Sequence, residues 1–165
     1  MKRVFFPLIA LALAAGLSHV ALGANINTTV ARSPEVQANA APQAKAATTI
    51  WVILRNRVLT ARLIDSRTAR DFVSLLPLTL TMDDLFGREK AGPLPRALAN
   101  GGKRTHTVAA GDIVYWSPGP DVAIIYRHAG PSIPDPGDVV LAKISSGVKA
   151  LDVPGSVRVR IERAR

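Results

Sequence analysis

The chain has 165 residues, of which 48% are hydrophobic, with a formal net charge of +9 and no cysteine. This length and apolar content suffice for one globular domain with a single core. The absence of cysteine excludes a disulfide framework and a lipidated N-terminal cysteine. The stability of the fold must therefore come from its core.

The N-terminus has the three-part layout of a secretory signal peptide. Lys2 and Arg3 precede an apolar run over residues 4–17, and small residues follow near position 24. This pattern predicts a signal peptide over residues 1–24, and hence export to the periplasm or the medium. An uncleaved membrane anchor is the alternative, although polar residues interrupt the apolar stretch near its end.

The positive charge of the mature chain bears on its partners. Loss of Lys2 and Arg3 with the signal lowers the net charge to +7, because residues 1–24 contain no acidic residue. A basic cytoplasmic protein would be a candidate for nucleic-acid binding, but here the arginines are scattered among acidic residues and the chain is predicted to be exported. We expect a monomer that binds no nucleic acid; an anionic component of the cell envelope is one candidate partner.

Residues 25–48 differ in composition from the rest of the chain. They are rich in Ala, Asn, Gln, Thr and Pro and have no apolar period. A segment with so few large side chains cannot offset the entropy lost on ordering. We predict a disordered linker here, followed by one ordered domain over residues 49–165.

The ordered part opens with a predicted hairpin. Two β-prone runs, 50–54 and 58–64, flank the polar Arg55-Asn56-Arg57. We expect Asn56 to supply the left-handed conformation that a tight turn requires.

The next segment changes from helical to strand periodicity at one proline. Thr68 and Asp71 form a capping-box pattern, which predicts a helix over 68–76. Pro77 ends the helix, and the strand 78–82 alternates apolar side chains with threonines. The buried helical face would consist of Ala69, Phe72, Val73 and Leu76.

Short elements fill the second half of the domain. In chain order we expect a turn over 83–90, a long loop over 91–110, strands at 113–116, 122–126 and 139–144, a single helical turn over 146–151 that Ser146 caps, and a strand at 157–161. Many short strands with only two short helices favour a closed antiparallel barrel, because closure leaves few unpaired edges.

Three blocks of the sequence resemble the cyclophilin-like fold proteins of bacteria. The most recognisable is the Leu-Leu-Pro-Leu-Thr-Leu-Thr segment that ends the predicted helix. The similarity covers roughly residues 49–163 and rests on 68–81 with 87–90 and 94–95, on 110–116 with 123–126, and on 141–151. The resemblance implies a mainly β fold, a closed eight-stranded barrel capped by two short helices, with no established general activity.

Isomerase activity does not follow from this resemblance. True cyclophilins isomerise peptidyl-proline bonds with an arginine, a glutamine and several apolar and aromatic residues. Their Phe-Met-x-Gln-Gly-Gly-Asp strand has no counterpart, and the only glutamines, Gln37 and Gln43, lie in the predicted linker. No catalytic residue is carried over. We predict a non-enzymatic domain that binds a peptide or small molecule at the barrel mouth, with a prolyl isomerase of non-standard site as the alternative.

The candidate ligand-binding residues lie beside loops. They are Glu89, Trp116, Tyr126, Arg127 and His128. Aromatic faces and an arginine can form a groove for a peptide or small molecule. Strand alternation places Tyr115 and Trp116 on opposite faces, so both cannot line one cavity. Glu89 could orient a polar ligand, or it could form a salt bridge with Lys90 that holds the following loop.

No metal or cofactor site is expected. His106 and His128 are the only histidines outside the predicted signal, and no third ligand stands at a recognised spacing. The adjacent Asp83 and Asp84 fit a solvated turn better than a catalytic pair.

Overall fold

The computed structural model describes residues 48–128 and 130–165. The predicted signal peptide and all but the last residue of the predicted linker lie outside the described residues. The elements are β1 (Thr49–Leu54), β2 (Arg57–Leu63), α1 (Arg67–Ser74), β3 (Leu78–Leu85), β4 (Glu89–Pro93), β5 (Arg104–Thr105), β6 (Asp112–Trp116), β7 (Asp121–Ile125), β8 (Asp138–Ile144), a 3-10 turn (Val148–Leu151) and β9 (Val157–Arg163). Within these ranges, no helix combines the length and hydropathy needed to span a bilayer.

Eight of the strands form a closed antiparallel barrel. Their order is β2-β1-β9-β3-β4-β7-β6-β8, and pairing of β8 with β2 closes the sheet. β5 lies outside the closed ring, where Arg104 and Thr105 pair with the first residues of β8. The predicted mainly β fold and eight-stranded closure are confirmed, with one additional short strand.

The barrel interior is a packed core. Alternate residues of each strand point inward, as β9 illustrates: Val157, Val159 and Ile161 are buried, whereas Arg158 and Arg160 are exposed. Inward side chains from seven of the eight barrel strands, all except β4, form a single apolar cluster with the buried face of α1. This cluster fills the barrel, so any ligand site must lie elsewhere.

The helices differ from the prediction of two. α1 is the one α-helix in the described part of the chain, and the second expected helix is a four-residue 3-10 turn. Gly147, with φ of 81°, precedes this turn, and no side chain caps it. The expected Ser146 cap is therefore absent.

Ser66, rather than Thr68, caps α1. The Ser66 hydroxyl accepts a hydrogen bond from the backbone N–H of Ala69 at 3.1 Å. Thr68 instead donates to the carbonyl of Ala99 at 2.8 Å, and Asp71 accepts the Ala99 N–H at 2.7 Å. The predicted capping-box pair thus ties the helix to the loop after β4.

β3 and β4 occupy positions that we predicted to be turn and loop. β3 continues to Leu85 and β4 begins at Glu89, so the turn is limited to 86–88. β4 also includes the start of the expected 91–110 loop. It has no alternating apolar pattern and forms because β3 and β7 hydrogen-bond to it from both sides.

The β1–β2 hairpin is confirmed, but the residue in the left-handed region is not the one expected. Arg55 has φ of 51°, and Asn56 does not have a positive φ. The left-handed position at the tip of this hairpin is therefore occupied by an arginine rather than by an asparagine.

Candidate functional site

Glu89 and Lys90 are both buried, on opposite sides of the barrel wall. Lys90 pairs with Ile124, which belongs to the main core. Glu89 pairs with Ile125, which belongs to a second, smaller apolar cluster. Since neighbouring strand residues alternate in direction, Glu89 faces the outside of the barrel, where the segment before β8 covers it.

A cavity of about 250 Å³ opens on this outer face, and we call it the outer cavity. Strand pairing builds its floor: Trp116 lies opposite Asp121, and Ala91 lies opposite Ala123. Its lining comprises Leu85, Phe86, Arg88, Glu89, Ala91, Trp116, Asp121, Ala123, Ile133, Pro134 and Asp138. The cavity thus combines apolar and aromatic walls with three carboxyl groups and one guanidinium.

Glu89 is held by an ion pair with its neighbour. The Arg88 Nε donates to Glu89 Oε2 at 3.0 Å, and both side chains are buried. Arg88 Nη1 also donates to the carbonyl of Pro131 at 2.8 Å, which anchors the covering segment. Burial raises the pKa of Glu89, and the charge of Arg88 opposes this effect.

Asp138 is the second buried carboxyl group of the outer cavity and is only 5% exposed. Among the described residues no side chain or backbone group hydrogen-bonds to its carboxylate, which therefore faces the cavity. Burial, and secondarily the negative charge of Glu89, raises the pKa of Asp138 to about 6. The Asp138 carboxyl group therefore changes from its protonated to its ionised form near pH 6. At the rim, burial also raises the pKa of Asp121.

Phe86 stands at the edge of the outer cavity in a strained conformation. Its φ is 56°, that of Gly87 is 59°, and its side chain is 69% exposed. The Arg88 guanidinium lies 5.7 Å from the centre of its ring. A bulky residue in the left-handed region is rare and is found at functional sites more than elsewhere. An exposed aromatic ring held in this way is suited to contact a ligand.

Tyr126 belongs to a different network, at one end of the barrel interior. Its hydroxyl donates to Asp84 Oδ1 at 2.6 Å, and Lys90 Nζ donates to the same oxygen at 2.9 Å. Lys90 also donates to the carbonyls of Val153 and Gly155, at 2.5 Å and 2.7 Å. Burial, reinforced by the bond to Asp84, raises the pKa of Tyr126 to about 12. The bonds from Tyr126 and Lys90 lower the pKa of Asp84.

Arg127 and His128 line a neighbouring groove of about 260 Å³. Arg88 and Ile133 contribute to both this groove and the outer cavity. Arg127 is engaged by both carboxylate oxygens of Asp152 at 2.8 Å, and His128 Nδ1 lies 3.2 Å from the carbonyl of Val108. Residues 48–128 and 130–165 contain no group of three or more His, Asp or Glu side chains that could hold a metal ion.

The five sequence-predicted residues are therefore divided among three places. Glu89 and Trp116 meet in the outer cavity, Arg127 and His128 lie in the adjoining groove, and Tyr126 points to the interior network. Tyr115 is buried in the core, so it and Trp116 do face opposite sides as alternation predicted.

Sequence reasoning missed Asp138, Phe86 and Arg88. Asp138 begins β8 one residue before the strand predicted at 139–144, and its spacing from Val140 places it on the outer face. Phe86 was hidden in a predicted turn, where an aromatic residue beside glycine was the available signal.

Comparison with known proteins bears on the fold. The sequence profile of the cyclophilin-like family matches residues 52–162. The chain belongs to this family. A similar fold is found in the solution structure of the hypothetical protein AF2241 from Archaeoglobus fulgidus, with a TM-score of 0.56 and 19% identity over 72% of this chain and 95% of that chain. No curated protein matches the sequence.

The match to the cyclophilin-like family includes all or part of every barrel strand and all the residues that line the outer cavity. At 19% identity the archaeal structure supports the fold alone. Function must therefore be argued from the chemistry of the outer cavity.

Proposed function

We propose that this cyclophilin-like domain is a binding module, and that its outer cavity holds an apolar group that carries a positively charged amine, on a peptide or a small molecule. The observation that carries the proposal is Asp138, a buried carboxylate to which no described residue donates a hydrogen bond, in a cavity with apolar and aromatic walls. A cavity of about 250 Å³ accommodates a group the size of one side chain.

The charge in the cavity favours a cation. Arg88 neutralises Glu89 through their ion pair, whereas Asp138 has no such partner. Above a pH of about 6 Asp138 is ionised. Burial deprives this charge of hydration by water, and a ligand ammonium group would stabilise it instead. Trp116 and Phe86 would contact the apolar part of the ligand.

The smallest suitable probe is 2-phenylethylamine, with phenylacetate as a control of similar shape and opposite charge. The protein contains two tryptophans, so Trp51→Phe leaves Trp116 as the sole tryptophan whose fluorescence reports on binding. We expect saturable quenching by the amine that strengthens several-fold between about pH 5 and about pH 7.5, as Asp138 ionises. Phenylacetate should bind far more weakly.

Two variants test whether this binding depends on the cavity. Asp138→Asn should abolish the pH dependence and weaken binding of the amine, whereas Asp65→Asn, which changes an exposed carboxylate outside the cavity, should have no effect. Equal binding of phenylacetate, or an unaltered affinity in Asp138→Asn, would show that the proposed recognition is wrong.

Peptidyl-prolyl isomerase activity is the second candidate function. It is favoured by one feature, the presence of an arginine among aromatic and apolar side chains in the outer cavity. Arg88 is engaged by Glu89 and Pro131, however, and none of the described residues that line the cavity is a glutamine. An assay with a proline-containing peptide decides between the two: acceleration that Arg88→Lys removes would favour an isomerase over a simple binding module.

We also propose that the domain acts outside the cytoplasm. The support is the signal-peptide pattern of residues 1–24. Mass spectrometry of the protein recovered from its host should give an N-terminus at residue 24 or 25. An intact N-terminus in the membrane fraction would identify an uncleaved anchor, and an intact N-terminus in the cytosol would contradict export.

A further inference from the structure

A second concave surface lies on the part of the barrel wall formed by β1, β9 and β3. It is a groove of about 490 Å³, and three of its lining residues are Arg55, Arg158 and Arg160. None of the described residues that line it is acidic, and Thr79 and Ser156 contribute hydroxyl groups. We call it the arginine groove.

Strand register brings these arginines together. Leu54 lies opposite Val159, so the next residue of the β1 hairpin, Arg55, comes beside Arg158. Arg158 and Arg160 share the outward face of β9, about 7 Å apart along the strand. The strand register thus places three arginines around one concave surface.

Most of this charge is not neutralised within the protein. Arg160 Nε donates to Glu162 at 2.8 Å. Arg55 and Arg158 are exposed and have no hydrogen-bond or ion-pair partner among the described residues. Ser156, which lines the groove, donates its hydroxyl to Asp83 Oδ1 at 2.5 Å.

We propose that the arginine groove binds a soluble ligand that carries two neighbouring phosphate groups. The planar guanidinium fork matches the geometry of phosphate oxygens, and paired donors strengthen the contact. An anionic ligand would also relieve the repulsion among three like charges. The volume lies within the range of small-molecule sites, and its concave shape admits a ligand group better than a flat bilayer.

Calorimetric titration with inorganic pyrophosphate tests this site. We expect saturable binding that weakens with added salt, and a loss of about tenfold or more in Arg158→Gln or Arg55→Gln, because each removes charge-assisted hydrogen bonds. Arg62→Gln is the matched control: this exposed arginine lies on the outer face of β2 and does not line the groove. Its affinity should stay within about twofold of the wild type.

Further variants separate the possible outcomes. Arg158→Lys keeps the charge but loses the fork, so its affinity should be intermediate. Equal losses in Arg62→Gln and Arg158→Gln would indicate attraction by net charge and overturn the proposal, as would the absence of saturable binding. If vesicles containing anionic lipid bind through Arg158 and pyrophosphate does not displace them, the groove is a membrane contact instead. Binding of 2-phenylethylamine should be unchanged in all of these variants.

Discussion

Asp138 shows how one residue acquires chemistry from its surroundings. It begins β8 next to the added strand β5, faces outward, and is covered by the segment that precedes it. An aspartate in water ionises near pH 4, but burial and the neighbouring Glu89 shift the pKa of Asp138 to about 6. Between about pH 4 and pH 6, the Asp138 carboxyl group therefore holds a proton in the folded protein that it has lost in the unfolded chain.

This shift predicts a stability that depends on pH. Because the folded state binds more protons between about pH 4 and pH 6, stability falls as the pH rises through this window. At neutral pH the ionised Asp138 costs up to about 3 kcal/mol. Asp138→Asn should therefore be more stable than the wild type at about pH 7.5, and the difference should shrink toward about pH 4. Urea unfolding at several pH values measures both; a constant difference would contradict the assignment.

We predict that replacing Phe86 increases the stability of the fold and weakens ligand binding. A left-handed conformation costs a bulky residue about 1–2 kcal/mol, and asparagine tolerates it better. The cation–π contact of this exposed ring with Arg88 offsets only about 0.5–1 kcal/mol of this cost. Phe86→Asn should therefore unfold at a slightly higher temperature while binding 2-phenylethylamine more weakly. Val58→Asn, which changes an exposed apolar residue without a positive φ, should give no such gain in stability.

At the scale of elements, α1 is held by its cap and by its buried face. Ser66→Ala should cost about 1 kcal/mol, because it removes the acceptor of the Ala69 N–H. Phe72 is fully buried, so Phe72→Ala should cost about 3–5 kcal/mol, and the half-buried Leu76→Ala should cost less. Chemical denaturation measures all three. Equal effects for Phe72 and Leu76 would contradict this packing.

β4 and α1 differ in how far their sequences determine them. The α1 region has helical spacing, a proline stop and a strand that alternates, and its position was predicted within two residues at each end. Residues 89–93 read Glu-Lys-Ala-Gly-Pro, with no β-branched side chain. Gly92 fits because a Cβ there would lie 2.8 Å from the carbonyl oxygen of Thr81. Only pairing with β3 and β7 makes this segment a strand.

At the scale of the whole molecule, Lys90 closes one end of the barrel. Its ammonium group is fully buried and joins β3, β4 and the loop before β9 through Asp84 and two carbonyls. Lys90→Met should cost about 3 kcal/mol or more, because it leaves these acceptors without a donor. Thermal unfolding measures the loss. A smaller additional cost in the double variant with Asp84→Asn would confirm the coupling, and additive costs would refute it.

The two surface sites also differ in their balance of charge. The outer cavity on β4, β7, β6 and β8 contains carboxyl groups, whereas the arginine groove on β1, β9 and β3 contains guanidinium groups. The filled interior leaves both sites on the outer surface, where strand register decides which side chains meet. The two proposed ligands accordingly differ in charge and can be tested independently.

By itself the sequence determined the class of fold, most strands, the helix ahead of Pro77 and the resemblance to cyclophilin-like proteins, because these depend on local periodicity and turn residues. It also proposed Glu89 and Trp116 as candidate ligand-binding residues. Tertiary structure alone decided that they share a cavity with Asp138, that Tyr126 belongs elsewhere, and that Arg55 joins Arg158 and Arg160. These juxtapositions depend on the register between strands distant in sequence, which no local pattern specifies.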